Sequence, residues 1–449
     1  MKPFANRRQI LLEQMAAAGG GVAILPTAPE HLRNNDAEYP YRHDSSFFYL
    51  TGFMEPEAVL VLVADQGRQQ SILFCREKNP EREVWDGYRY GPAAARSTFG
   101  FDASFSFDAI DTEMRTLLAG QPRLFYSLGQ DASWDARLFG WLAQVKQQRR
   151  SGVLAPEQIH ELRPLVHAMR LFKDSTEISS MQRAADIAAG AHARAMRHTR
   201  PGMHEYQIEA ELLHEFRRHG AEDPAYTSIV ASGANACVLH YRAGNALLRD
   251  GELVLIDAGC EFDSYASDIS RTYPVNGRFS GAQKQLYEIV LAAQAAAIDA
   301  LRPGSRFTDS HDAALKILAQ GMLDTGLLKR DLVGSLEDVI AKGDYRQFYM
   351  HSTGHWLGLD VHDVGDYRDP IGTLAGPDRP SRQLMPGMVT TVEPGLYVRP
   401  GPDVPEAYWN IGIRIEDDVL ITEQGHTVLS NAAPKTVADI ESLMRQSGA

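Results

Sequence analysis

The chain has 449 residues, with 45 basic against 58 acidic side chains, and its net charge of −13 argues against nucleic acid or an anionic membrane as the main partner. A hydrophobic content of 44% is enough to bury two or three domain cores. The three cysteines, Cys75, Cys237 and Cys260, form no CxxC pair, and residues 1–15 hold no apolar run of signal-peptide type, so a reducing, cytoplasmic location is expected. No stretch approaches the roughly 18 apolar residues of a membrane helix.

Taken in order, residues 8–18 are predicted helical up to Gly19-Gly20-Gly21, and Val22 to Leu25 reads as a short buried strand. Phe47 to Leu50, Ala58 to Ala64 and Ser71 to Cys75 are further strand candidates. Helical patterns at 108–118 and 134–148 flank an extended segment at 123–127, an alternation that predicts an α/β domain of about 150 residues. Its segments 35–42 and 83–88 mix aromatic and charged residues and read as candidate functional loops or as plain surface. Residues 151–165, with a glycine and two prolines, read as a linker. Beyond it, helical patterns at 175–198 and 204–219 are split by Pro201-Gly202, with Asp174 or Ser175 as N-cap. A strand at 228–232 and a hairpin follow, then a second helix pair at 281–301 and 308–326. Strands at 388–392, 396–398, 411–415, 419–421 and 427–429 close the chain. Helix pair, hairpin, helix pair and strands make an approximate internal duplication.

The hairpin carries the first chemistry. Leu253 to Ile256 is an apolar run ending in Asp257, and 265–275 reads as the returning strand. A turn centred between Phe262 and Asp263 would set Asp257 opposite Asp268, with Cβ atoms roughly 4.5–5.5 Å apart. Two such carboxylates beside an apolar strand repel unless protonated or bridged by cations, whereas on a solvated hairpin end they mean nothing. Residues 349–363 gather His351, His355 and His362 around Gly354 and Gly358, which permit close backbone approach. Val389 to Val392 runs into Glu393, a second apolar strand ending in a carboxylate. Residues 411–416 alternate, with Gly412, Arg414 and Glu416 on one face, a pattern that a surface strand shares, so Glu416 alone is ordinary. Together, Asp257, Asp268, His355, Glu393 and Glu416 offer oxygen-rich ligation that suits hard or borderline divalent ions such as Mn²⁺, Co²⁺ or Fe²⁺. A pair of such ions lowers the pKa of a shared water and stabilises the oxyanion of a hydrolysis.

The motifs LIDAG (255–259), SDISRTYP (267–274), HSTGHWLGLDVHD (351–363), TVEPGLY (391–397) and GIRIEDD (412–418) resemble, in this order, the dinuclear-metal pita-bread peptidases. Adding residues 35–62, the resemblance is closest to the bacterial Xaa-Pro aminopeptidase (aminopeptidase P) family and covers nearly the whole chain. It implies an α/β (α+β) fold: a small α/β domain with its linker over 1–170, then a pita-bread catalytic domain over 171–449, a duplicated helix pair with a curved antiparallel sheet. The implied activity is release of the first residue from peptides with proline second, by a metal-bridging hydroxide and with two divalent ions, Mn²⁺ first. Asp257 would bind one ion, His355 the other, and Asp268 and Glu416 both, while Glu393 would bind the His355-side ion and take the proton of the attacking water. His362 would meet the scissile carbonyl, with His240 near it; His351, Tyr397 and Arg414 would shape the proline pocket. Trp85 would wall the site, and Asp36 would reach a neighbouring subunit of a homo-oligomer, a dimer or tetramer. The spacer at 352–354 and the loop at 366–381 are freer than the rest. Prolidase is the nearest alternative; a metal-free amidinohydrolase or an inactive binding module would be expected to lack ligands that are all present here.

Overall fold

The amino-terminal unit is organised on the hairpin Val59–Asp65 and Arg68–Cys75, whose apolar residues leave little room for solvent on either face. Gly21–Pro26 pairs antiparallel with Val59–Asp65, and Ala103–Ser106, Arg123–Phe125 and Gln158–His160 add parallel strands to complete a six-stranded sheet. Helices Ile110–Leu118 and Ala132–Gln147 cover it, packing Met114, Leu138 and Trp141 onto Val22, Val61 and Phe74. The structure, a computed structural model, describes residues 3–65, 67–369 and 379–446, in two compact units, Met1–Arg170 and Leu171–Ala449.

Two expectations for the first unit change. Phe47 to Leu50 lies in the helix Ser45–Thr51, not in a strand. Asp44 caps it, accepting from the Phe47 N–H at 2.7 Å, and Gly52 closes it at φ 65°. Four consecutive buried apolar residues carry no period, so the cap decides. Residues 151–165 are not wholly a linker either, because Gln158–His160 forms the sheet's edge strand.

The second unit repeats a theme. Ser175–His198 and Glu205–Arg218 form one helix pair, Gly281–Asp299 and Phe307–Asp324 the other. Asp174 begins the first with a capping box: its carboxylate accepts from the N–H of Thr176 and Glu177, and the Glu177 carboxylate accepts in return from the Asp174 N–H. Its inner face is largely alanine, including Ala184, Ala188, Ala191 and Ala195, which lets the helix lie close to its neighbours. The first pair is followed by the antiparallel strands Ile229–Ser232, Leu253–Asp257 and Ser270–Pro274; the second by Val389–Val392 with Asp417–Thr422 and Gly425–Val428, and by Gly395–Val398 with Ile411–Arg414. No helix among the described residues is long and apolar enough to cross a membrane.

The central hairpin turns one residue later than expected. Phe262 pairs with Tyr265 and Asp257 with Ser270, so Asp268 is not directly opposite Asp257. Asp263 and Ser264 both take positive φ (49° and 68°), as a two-residue turn of the I′ kind requires. Glu222 makes the turn affordable by accepting from both of their N–H groups at 3.1 Å. An Asp-Ser pair is a weak sequence signal for such a turn.

Candidate metal centre

Asp257, Asp268, His355, Glu393 and Glu416 all line one cavity of about 640 Å³ in the second unit. Asp257 arrives at the end of its apolar strand, and Asp268 two residues before the returning one. His355 and Glu393 are brought together by a seam of backbone. The Thr391 N–H donates to the His355 carbonyl at 2.9 Å and the Glu393 N–H to the Thr353 carbonyl at 2.7 Å. Gly354 lies within that seam; a Cβ there would stand 2.1 Å from the Thr391 carbonyl oxygen. His355 Nδ1 donates to the Trp356 carbonyl at 2.9 Å, which leaves Nε2 facing the acids, 3.4 Å from Asp268 and 3.7 Å from Glu393. Donor atoms of Asp268, His355 and Glu416 lie within 4.8 Å of one another.

The electrostatics of this cluster are those of too many acids in one dry place. Burial and then the neighbouring Asp257 raise the Asp268 carboxyl. Burial followed by Asp268 and Glu393 holds Glu416 well above the carboxylate range, and burial pushes Glu393 up to about 7. For His355 burial works against charge, but the hydrogen bond and charge of Asp268 outweigh it and push the imidazole up to about 9. Acids that hold protons for want of positive charge, set beside one imidazole, make a donor set that fits divalent cations.

Arg414 already supplies one cation. Its guanidinium donates to Asp257 at 2.6 Å, to the Ser270 hydroxyl at 2.8 Å and to the Tyr397 hydroxyl at 2.9 Å. Ser270 passes the contact on, donating to Glu416 at 2.8 Å. Tyr397 is buried behind the wall rather than on the cavity surface, and its hydroxyl donates to His351 Nε2 at 2.9 Å. Burial, and then the charge of Arg414, lower the His351 pKa to about 4, so this imidazole is neutral.

His362 and His240 lie on the exposed side of the cavity. The His362 ring meets that of His355 edge-on at 4.3 Å, and burial together with the nearby charge of His355 lowers its pKa. Trp85 is 83% exposed and Asp36 also faces solvent; both belong to the amino-terminal unit. Residues 370–378 of the freer loop lie outside the described residues.

Several participants carried no sequence signal. The Tyr226 hydroxyl touches both aspartates, at 2.5 Å from Asp257 and closer still to Asp268. The acids after Glu416 also divide: the Asp268 N–H donates to Asp418 at 3.2 Å, while Asp417 turns away to Arg271 at 2.8 Å and Lys435 at 2.6 Å. Phe307 and Tyr367 supply the apolar wall.

Residues 179–423 match the model of metallopeptidase family M24, and residues 4–126 that of the aminopeptidase P N-terminal domain. The chain belongs to family M24. An Xaa-Pro aminopeptidase of Escherichia coli is 46% identical over 98% of this M24 chain and 97% of its own length. Human Xaa-Pro aminopeptidase 3 is 33% identical, over 99% and 86%. Among solved structures, aminopeptidase PepP of Pseudomonas aeruginosa superposes with a TM-score of 0.94 at 47% identity, covering 99% of this chain and 98% of that one. A zinc-substituted E. coli aminopeptidase P in complex with product does so at 0.94 and 44%, over 100% and 99%. The second unit is thus the M24 pita-bread fold, and its grouped donors Asp268, His355 and Glu416 suit the divalent metal that a metallopeptidase of this family uses.

Proposed function

We propose that this chain is an Xaa-Pro aminopeptidase, releasing the first residue of peptides whose second residue is proline. The observation that carries the reading is the convergence of all five donor residues on one cavity, in a chain alike from end to end with curated Xaa-Pro aminopeptidases. Asp257, Asp268, His355, Glu393 and Glu416 would hold two divalent ions, Mn²⁺ first, which when bound supply Lewis acidity and an activated water.

The protein's own groups do the rest. Glu393, which lines the cavity, would take a proton there and return it to the leaving nitrogen. His362 and His240 offer N–H donors at the open side, where the scissile carbonyl oxygen would lie. His351 and Arg414 would form the wall that meets the proline ring, with Tyr397 hydrogen-bonded to both from behind it. An Xaa-Pro bond is a tertiary amide with no N–H, so a site that recognises it must read the ring and not a hydrogen bond. Because Arg414 is spent on Asp257 and Ser270, it is not free to clamp a carboxylate carried directly on the proline. The reading extends to a cytoplasmic homo-oligomer, a dimer or tetramer. Asp36 and Trp85 face solvent, available to a neighbouring subunit or to peptide. Three buried free thiols suit a reducing compartment.

The test compares Gly-Pro, Gly-Pro-Ala and Gly-Ala-Ala in saturating Mn²⁺. Gly-Pro-Ala should show the highest kcat/KM. Preference for Gly-Pro would make the protein a prolidase, rapid cleavage of Gly-Ala-Ala a general aminopeptidase, and hydrolysis of none of them a binding module.

A further inference from the structure

Away from the metal cluster, Glu205 is fully buried and has no cationic partner among the described residues. Its carboxylate accepts five hydrogen bonds. Oε1 takes the Ser232 N–H at 2.8 Å, the Ser232 hydroxyl at 3.1 Å and the Asn235 amide at 3.0 Å. Oε2 takes the Tyr241 hydroxyl at 2.9 Å and the Gly244 N–H at 3.2 Å. Every donor belongs to one stretch, residues 232–244, which leaves the strand Ile229–Ser232, turns through a short 3-10 helix at Gly233–Cys237 and places Leu239 and His240 in the cavity wall.

The start of the helix Glu205–Arg218 ties down the far end of the same loop. The Tyr206 N–H donates to the Gly244 carbonyl at 3.2 Å, the Glu205 N–H to the Ala246 carbonyl at 3.1 Å, and His204 Nδ1 to the Asn245 carbonyl at 2.8 Å. A carboxylate in the first helical turn is favoured by the helix dipole, and full satisfaction of its lone pairs makes burial of the charge tolerable. An acceptor-only group surrounded by five donors fixes one arrangement of its neighbours, where a neutral side chain would leave several. Tyr241, the residue next to His240, is the last link.

We infer that Glu205 is a positioning residue that acts through Tyr241 to hold His240 against the reacting carbonyl. The inference rests on the proposed role of His240, and a double-mutant cycle separates the two. Glu205→Gln keeps the shape but sets an NH₂ among donors. Should that variant fail to fold, Tyr241→Phe removes only the hydroxyl, and with it the bonds to Glu205 and Asn235. Expected are a lowered kcat/KM on Gly-Pro-Ala in either variant with unchanged metal content, and no further loss when His240→Ala is added, because the loop then has no imidazole to aim. A multiplicative loss in the double variant would make Glu205 a purely structural residue and overturn the inference, as would wild-type kinetics in both Glu205→Gln and Tyr241→Phe. Wild-type kinetics in His240→Ala alone would withdraw the role of His240, and the inference with it.

Discussion

Arg414 lies 2.6 Å from Asp257 and, through the Ser270 hydroxyl, one hydrogen bond from Glu416. A single guanidinium therefore orients two acids of the cluster, one directly and one through a hydroxyl. Lysine has three donors on one nitrogen but no planar fork to present separate nitrogens to Asp257, Ser270 and Tyr397. Arg414→Lys should lose about 10- to 100-fold in activity or metal affinity, as outer-shell partners of metal ligands do. Steady-state kinetics and a metal titration check it, and a loss below about threefold would show that the fork is dispensable.

Removal of a shared ligand should empty the site. Asp268→Ala or Glu416→Ala is expected to lose most bound divalent metal, since each faces the same small donor cluster with His355. Chelation of the wild type should abolish peptidase activity and Mn²⁺ or Co²⁺ should restore it. Full metal content in either variant by elemental analysis would refute the assignment.

His362 separates chemistry from binding. It lines the cavity near His355 but is not among the grouped donors. His362→Ala should lower kcat by ~10²-fold, the scale of a lost oxyanion donor, at normal metal content. An unchanged kcat would remove it from the reaction.

The metal-stripped protein should weaken as pH rises. Burial raises Glu393 from 4.5 to about 7, and Asp268 raises His355 from 6.5 to about 9 despite burial. Both values lie above those of the unfolded chain, so between about pH 4.5 and 9 the folded state holds the extra protons and stability falls with increasing pH. Melting temperatures of chelated protein across that range should decline, and added Mn²⁺ should recover most at the alkaline end. A rising or flat profile would contradict this.

Beneath the site, Arg271 and Asp417 form an ion pair with both side chains fully buried. Arg271 also donates to the carbonyls of Ser270 and Glu416, so the pair braces the backbone on both sides of the cluster. Asp417→Ala should cost roughly 3–5 kcal/mol by leaving the guanidinium uncompensated. Urea unfolding of the metal-loaded protein measures it.

Much of this was legible in the sequence, for identifiable reasons. Asp257 and Glu393 stood out because an apolar strand ending in a carboxylate is a recognisable pattern, and the first helix pair announced itself through its breaker and cap. Glu416 looked ordinary because an alternating strand reads alike whether water or another layer covers its polar face; here it is 2% exposed. The turn position was missed because Asp263-Ser264 relies on Glu222, 41 and 42 residues away in the chain, to hold its strained φ values. Tyr226 was missed because one hydroxyl in an irregular segment has no period and no motif; only the folded chain brings it to the two aspartates.

The seam at Gly354 sets a limit for anyone who would retune this enzyme by random mutagenesis. With the Thr391 carbonyl where a side chain would begin, and Thr353 buried and hydrogen-bonded to His311 and Tyr349, a library across the spacer has little real diversity. Ser352, exposed and lining the cavity, is the position where altered peptide preference should be harvested.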